Sequence, residues 1–234
     1  MIIKATLVFI TILHHVILNT EQTNKTFDIT CDPLSNTESP KSCKNESLET
    51  IAAYARLPTN LRINLRANEI QLTTQVNFTN LSSLEIIGES ELNSTTIICN
   101  SSDHSNRGAG IVMNEIAEIT LKNLRLSFCG SFYVNNYRSD HKTLSSALVL
   151  FHCQCVEMHR VTITRSKGIG LLILNHHSGQ VNIKSSKFKG NVLPREYLTN
   201  SIYGGGGVYI LLTSSQLQKN CIFTDDDSFS QLHI

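Results

Sequence analysis

Tryptophan is missing from this chain and aromatic residues make up only 6% of it, so it lacks the stacking surface of a single-strand nucleic-acid binder. Net charge is +1, too little for a polycationic partner-binding chain as a whole. Apolar runs are short everywhere except at the start. A membrane span takes about 20 apolar residues, and no segment after residue 18 supplies them. Proline occurs only 4 times, which leaves long stretches free to form strands.

Two nucleotide motifs are also missing. The stretch Tyr203–Ile210, YGGGGVYI, carries four consecutive glycines. A phosphate-binding P-loop needs Lys followed by Ser or Thr after its last glycine, and Val208 and Tyr209 stand there instead. A dinucleotide fingerprint needs a further glycine where Tyr209 or Ile210 lies. The glycines therefore read as a tight turn, through positive φ and close packing, feeding a strand.

What is present fixes a compartment. Met1–Leu18 places Lys4 ahead of an apolar run, the form of a secretory signal peptide, here taken as residues 1–20; an uncleaved anchor is the alternative. Six Asn-x-Ser/Thr sequons follow, at Asn24, Asn45, Asn77, Asn80, Asn93 and Asn100, and none lies beyond residue 100. Seven cysteines suit an oxidising compartment, with at least one left unpaired. Cys31 and Cys43 flank a Pro-, Ser- and Asn-rich loop and are expected to pair. Cys99 and Cys129 end successive strands and form a second candidate pair. The expectation is a glycoprotein that is secreted or displayed on the outer side of the cell surface.

One helix is expected, over Ser47–Leu57. Ser47 caps it, Glu49 suits its first turn, Leu48, Ile51, Ala52 and Ala55 line one face, and Pro58 ends it. Residues 21–60 thus read as a cysteine-containing segment with a capping helix. Residues 61–234 read as strands and turns that repeat. The pattern apolar-x-x-apolar-x-apolar falls on Leu81/Leu84/Ile86, Leu121/Leu124/Leu126 and Met158/Val161/Ile163, and recurs as Ile183/Ser186/Phe188, at offsets of 40, 37 and 25. A preceding strand recurs at Gly110–Met113, Ala147–Leu150, Gly170–Ile173 and Gly207–Ile210, at offsets of 37, 23 and 37. Periods of this size indicate a solenoid. A right-handed parallel β-helix with an N-terminal capping helix fits the second strand and the irregular spacing. The leucine-rich-repeat solenoid is the alternative, prompted by LKNLRLSFC at Leu121–Cys129, and it requires a helix opposite each strand.

The FKGN of Phe188–Asn191 followed by GGGGVYI resembles the FxxN and GGAI repeats of polymorphic outer-membrane-type β-helix proteins. With Thr96–Cys99 (TIIC), Leu124–Gly130 (LRLSFCG) and Asn220–Phe223 (NCIF), residues 60–234 are similar to secreted right-handed β-helix proteins of the pectate-lyase-like superfamily. The resemblance implies the coil architecture. It also raises the superfamily's calcium sites, built from acids stacked on neighbouring coils with an arginine base. Aligning the repeats puts Glu157 over Thr120 and Asn182, and Glu118 over Cys155, so no two carboxylates stack. No catalytic residue, metal ligand or cofactor is assigned. The next glycine-led strand is expected near residue 240, past Ile234, which suggests further coils of a longer protein.

Charge is distributed unevenly. Residues 118–190 hold ten Lys or Arg against Glu118, Asp140 and Glu157, whereas residues 21–100 hold ten acids against six bases. The repeat alignment stacks Lys122, His159 and Lys184 in one outward column, and Arg125, Thr162 and Lys187 in the next. His152–Cys155 (HCQC) offers three of the four ligands a zinc site wants, and reads instead as ladder thiols or a disulfide. The expected function is a non-enzymatic extracellular scaffold or recognition protein. Its expected partner is an anionic polysaccharide or extracellular matrix, held on Lys122, Arg125, His159, Lys184 and Lys187. The alternative is a carbohydrate-active enzyme of the lyase or hydrolase kind acting on polyuronates.

Overall fold

A computed structural model describes residues 23–31, 43–44, 47–55, 59–90, 94–99, 110–133, 144–166, 168–176, 180–192 and 206–212, with strand pieces at 221–223, 228–229 and 232–233. In chain order β1 (Thr23–Cys31) and β2 (Cys43–Lys44) precede the helix α1 (Leu48–Tyr54). Next come β3 (Thr59–Arg66), β4 (Glu69–Leu72), β5 (Val76–Thr79), β6 (Ser83–Gly88), β7 (Thr95–Cys99) and β8 (Ile111–Asn114). They are followed by β9 (Glu118–Ser127), β10 (Ser131–Tyr133), β11 (Leu144–Phe151), β12 (Cys155–Thr164) and β13 (Ile169–His176). The last are β14 (Val181–Lys184), β15 (Lys187–Lys189), β16 (Val208–Leu212), β17 (Cys221–Phe223), β18 (Ser228–Phe229) and β19 (Leu232–His233).

Among the described residues the chain is all-β apart from α1. Its strands form a 12-stranded sheet, here sheet A, and a 7-stranded sheet, sheet B. Sheet A runs β17-β14-β12-β9-β6-β3-β1-β2, and sheet B runs β19-β16-β13-β11-β8-β5. From β3 onward the chain visits A and B alternately, and each visit pairs parallel with the one before. Among the described residues only β1–β2 and β10–β11 pair antiparallel. Among the described residues no helix follows α1, so the path back from sheet A carries strands; the helix-backed leucine-rich repeat is overturned.

Alternating side chains explain why these segments are strands. In β3 the odd positions Leu61, Ile63 and Leu65 are buried and the even ones face outward. Parallel register then stacks like on like. Ile63, Ile86, Leu121, Met158 and Ile183 form one ladder on sheet A. Phe78, Met113, Leu150, Ile173 and Ile210 form another on sheet B. The two ladders belong to one core cluster, and each fully buried side chain contributes about 1.5–3 kcal/mol. Ser186 interrupts the column begun by Leu124 and Val161, yet its hydroxyl accepts from the Val161 N–H and donates to the Lys184 carbonyl.

Corners recur as regularly as rungs. Asn80, Glu115 and His152 take positive φ where sheet-B strands end. Asn123, Arg160 and Ser185 do so at a bend within each sheet-A passage, and Phe128, Arg165 and Gly190 do so at its close. A single left-handed residue swings the chain without a long loop, at a cost of about 1–3 kcal/mol for a non-glycine.

The FKGN…GGGG pairing has a specific cause. The Asn191 Nδ2 donates to the Ile163 carbonyl at 3.1 Å, and its Oδ1 accepts from the Ser166 N–H at 3.0 Å. Asn191 thus fills the corner of the preceding rung. A Cβ on Gly170 would lie 2.6 Å from the Asn191 Nδ2, and one on Gly206 would lie 1.5 Å from the Asn191 carbonyl oxygen. Close approach, rather than positive φ, is what Gly206 supplies.

Several sequence expectations are met. The helix is capped as expected, with the Thr50 N–H donating to the Ser47 Oγ, and the offsets of 37, 23, 25 and 37 reappear as register. Others need correction. Leu121 stacks on Ile86, 35 residues earlier, and Leu124 and Leu126 stack on Thr95 and Ile97, so the offset of 40 is wrong. Residues 89–94 separate β6 from β7, splitting that repeat in two. Sheet A also begins before α1, because β1 pairs with β3 from Thr23 onward. The helix packs instead on β5, closing the core at the first edge of sheet B. Cys221 stacks on Val181, and Leu232–His233 pairs with β16 where a rung near residue 240 was expected.

Candidate functional site

Sheet A presents its outward residues in columns, with strands about 4.8 Å apart. One column holds Lys122, His159 and Lys184, and the next holds Arg125, Thr162 and Lys187, in the expected register. Arg125, Lys184 and Lys187 are exposed, while Lys122 and His159 are half-buried. Lys189 extends the set, one strand beyond Thr164. Two residues of one strand on the same face are separated by a left-handed corner at Asn123, Arg160 or Ser185, so the two columns lie on either side of a fixed bend.

The ion pairs divide the face. On the earlier strands Arg62 pairs with Glu85 at 3.2 Å and Arg66 with Asp28 at 3.5 Å. Asn64 donates to Asp28, Arg62 to Asn64, and Asn60 to Asn24, knitting that end into an amide and carboxylate network. Among the described residues Lys122, Arg125, Lys184 and Lys187 have no carboxylate within ion-pair distance. Within each column the lysine and arginine side chains lie two strands apart, with His159 between Lys122 and Lys184 and Thr162 between Arg125 and Lys187.

The acids stay apart in the register. Glu157 faces Thr120 and Asn182, and Glu118 faces Ser83 and Cys155. Among the described residues no three His, Cys, Asp or Glu side chains group to hold a metal. HCQC is divided by the left-handed His152: Cys153 is buried and Cys155 is exposed, so the two thiols do not share a face as simple alternation requires. Burial pushes the Cys153 thiol up to about 11, with backbone hydrogen bonds from Ile116 and Phe151 acting in the opposite direction.

Cys99 and Cys129 form a disulfide, joining the end of β7 to the second residue past β9. The backbone places Cys31 directly opposite Cys43 across β1–β2; their side chains lie outside the described set. Of the sequons, Asn24, Asn77 and Asn80 are exposed, and Asn45, Asn93 and Asn100 lie outside the described residues, as does the leader 1–20. Among the described residues no helix is long and apolar enough to cross a membrane.

Two features were not read from the sequence. Phe128 is 48% exposed, because the corner at its own φ of 59° turns outward a side chain that alternation would send into the core. The Arg165 guanidinium lies 5.6 Å from its ring centre. On sheet B, the outward residues Val112, Val149, Phe151, Ile169, Leu172 and Leu174 are buried as a second apolar layer. Its signal was present in the unbroken apolar runs ALVL and GLLI, which mark a strand buried on both faces.

No protein family, curated protein or solved structure matches the chain in comparison.

Proposed function

We propose that this chain is a secreted, glycosylated, right-handed parallel β-helix that acts as a non-enzymatic recognition or scaffold protein. Its sheet-A face binds a linear anionic glycan of extracellular matrix. The observation that carries the reading is the contrast on one face: Arg62 and Arg66 are neutralised by Glu85 and Asp28, while Lys122, Arg125, Lys184 and Lys187 have no ion-pair partner among the described residues and stand in register columns. Neighbouring strands repeat about every 4.8 Å, comparable to the rise of a sugar residue along an extended polysaccharide. A linear polymer lying along the columns meets a cation at every second strand, Lys122 then Lys184 in one column and Arg125 then Lys187 in the next, where a compact anion meets one or two.

The coil reading is supported by the alternation between sheets from β3 onward, with each visit paired parallel to the one before, since parallel crossovers are right-handed for steric reasons. The motifs shared with the pectate-lyase-like superfamily point the same way. Secretion is supported by the leader-like Met1–Leu18, the sequons of the first hundred residues, and the Cys99–Cys129 disulfide, a bond that persists in oxidising compartments. The test is retention on immobilised heparin under a salt gradient. Retention is expected for the wild type and is expected to be lost when Lys122, Lys184 and Lys187 are replaced by alanine. A wild type that passes through unretained at low salt overturns the reading.

A further inference from the structure

The corner at Phe128 is costly for the fold and serves nothing in the core. A bulky aromatic residue is held left-handed at φ 59°, where glycine fits without strain, and it is left 48% exposed. The equivalent corners hold Arg165 and then Gly190, and a Cβ on Gly190 would meet nothing within 4 Å, so the corner at Gly190 is open. The corner is also rigid. Cys129, the next residue, is tied to Cys99, and the Phe128 N–H donates to the Thr164 carbonyl. Lys189 adjoins Gly190, and the hydroxyls of Ser127 and Thr164 join at 3.2 Å on the residues preceding Phe128 and Arg165.

From this geometry we infer that Phe128 and Arg165 form a sugar-ring subsite at the edge of the cationic face. The pyranose ring of an anionic glycan stacks its C–H face on Phe128, and its carboxylate or sulfate pairs with Arg165. The inference rests on the glycan reading above and adds ring recognition to it. Aliphatic C–H bonds of a sugar carry slight positive charge and meet the negative face of the aromatic ring, while the guanidinium on Phe128 is poised to bridge ring and anion. The lysine columns count charge. The Phe128 corner distinguishes a sugar polymer from any other polyanion.

The test uses heparin oligosaccharide and linear polyphosphate as probes, with Phe128→Gly as the variant, because glycine suits the left-handed corner and keeps the fold. Loss of the ring is expected to weaken heparin binding about threefold to tenfold, with the salt dependence unchanged, and to leave polyphosphate binding as it was. Phe128→Tyr is expected to restore the heparin affinity. Unchanged heparin affinity in Phe128→Gly, or equal weakening toward polyphosphate, overturns the subsite while leaving the cationic face intact. A wild type that binds neither probe removes both.

Discussion

The backbones of Asn191 and Gly206 meet in one corner: a Cβ on Gly206 would lie 1.5 Å from the Asn191 carbonyl oxygen. This contact turns two separate sequence motifs into one device. Asn191 satisfies the backbone of the preceding rung, and the glycine stretch lets the next strand pass over it.

Asn191→Ala is expected to cost about 2–4 kcal/mol, because it strands the Ile163 carbonyl and the Ser166 N–H in a buried corner. Gly206→Ala forces backbone apart and costs about 1–3 kcal/mol or more. Lys189→Ala, outward on the neighbouring strand, stays within about 0.5 kcal/mol. Denaturant unfolding midpoints check all three. Equal effects at Asn191 and Lys189 contradict the corner.

Leu121→Ala removes the centre of the ladder between Ile86 and Met158 and is expected to cost about 2–5 kcal/mol. Glu115 tests the corners in the opposite direction. At its φ of 55° and exposed, Glu115→Gly is expected to hold or raise the melting temperature, whereas Glu115→Val lowers it.

The rungs of the later repeats were legible because Gly- or Ala-led apolar runs and the outward cations share one spacing; every pairing among Leu121, Met158 and Ile183 follows from it. The earlier end was not. Thr23–Cys31 is mostly polar, with only Phe27 and Ile29 to suggest a strand, and residues 89–94 split the motif of β6 and β7. The cationic columns were readable as register; their lack of ion-pair partners among the described residues was not, since Arg62 and Arg66 look equally basic in sequence. Phe128 was hidden because one left-handed residue reverses alternation, a backbone event that side-chain pattern does not encode.

The Cys99–Cys129 bond closes a separation of 30 residues, so on chain-entropy grounds replacing both cysteines by alanine is expected to lower stability by about 3–4 kcal/mol. Comparison of unfolding with and without reductant gives the same figure for the wild type and none for the double variant.

Cys153 predicts an alkaline effect. Its thiol titrates at about 11 in the folded chain against 9.0 in a free one, so the folded state holds the proton more tightly between those values. Stability from this group is intact below pH 9 and is lost as pH rises toward 11, by about 2–3 kcal/mol at most. Cys153→Ala is expected to flatten that part of the pH–stability curve relative to the wild type. In native protein at pH 8, a thiol reagent is expected to label the exposed Cys155 and spare Cys153. Equal labelling of both contradicts the buried environment.

The salt dependence of binding to a heparin oligosaccharide tests the central claim most directly, because its slope counts the cations engaged. The slope is predicted to fall in the Lys122→Ala, Lys184→Ala, Lys187→Ala triple variant and to stay at the wild-type value when Arg62 and Arg66, already paired, are replaced. A triple variant with the wild-type slope, or a larger loss from Arg62 and Arg66, would contradict it.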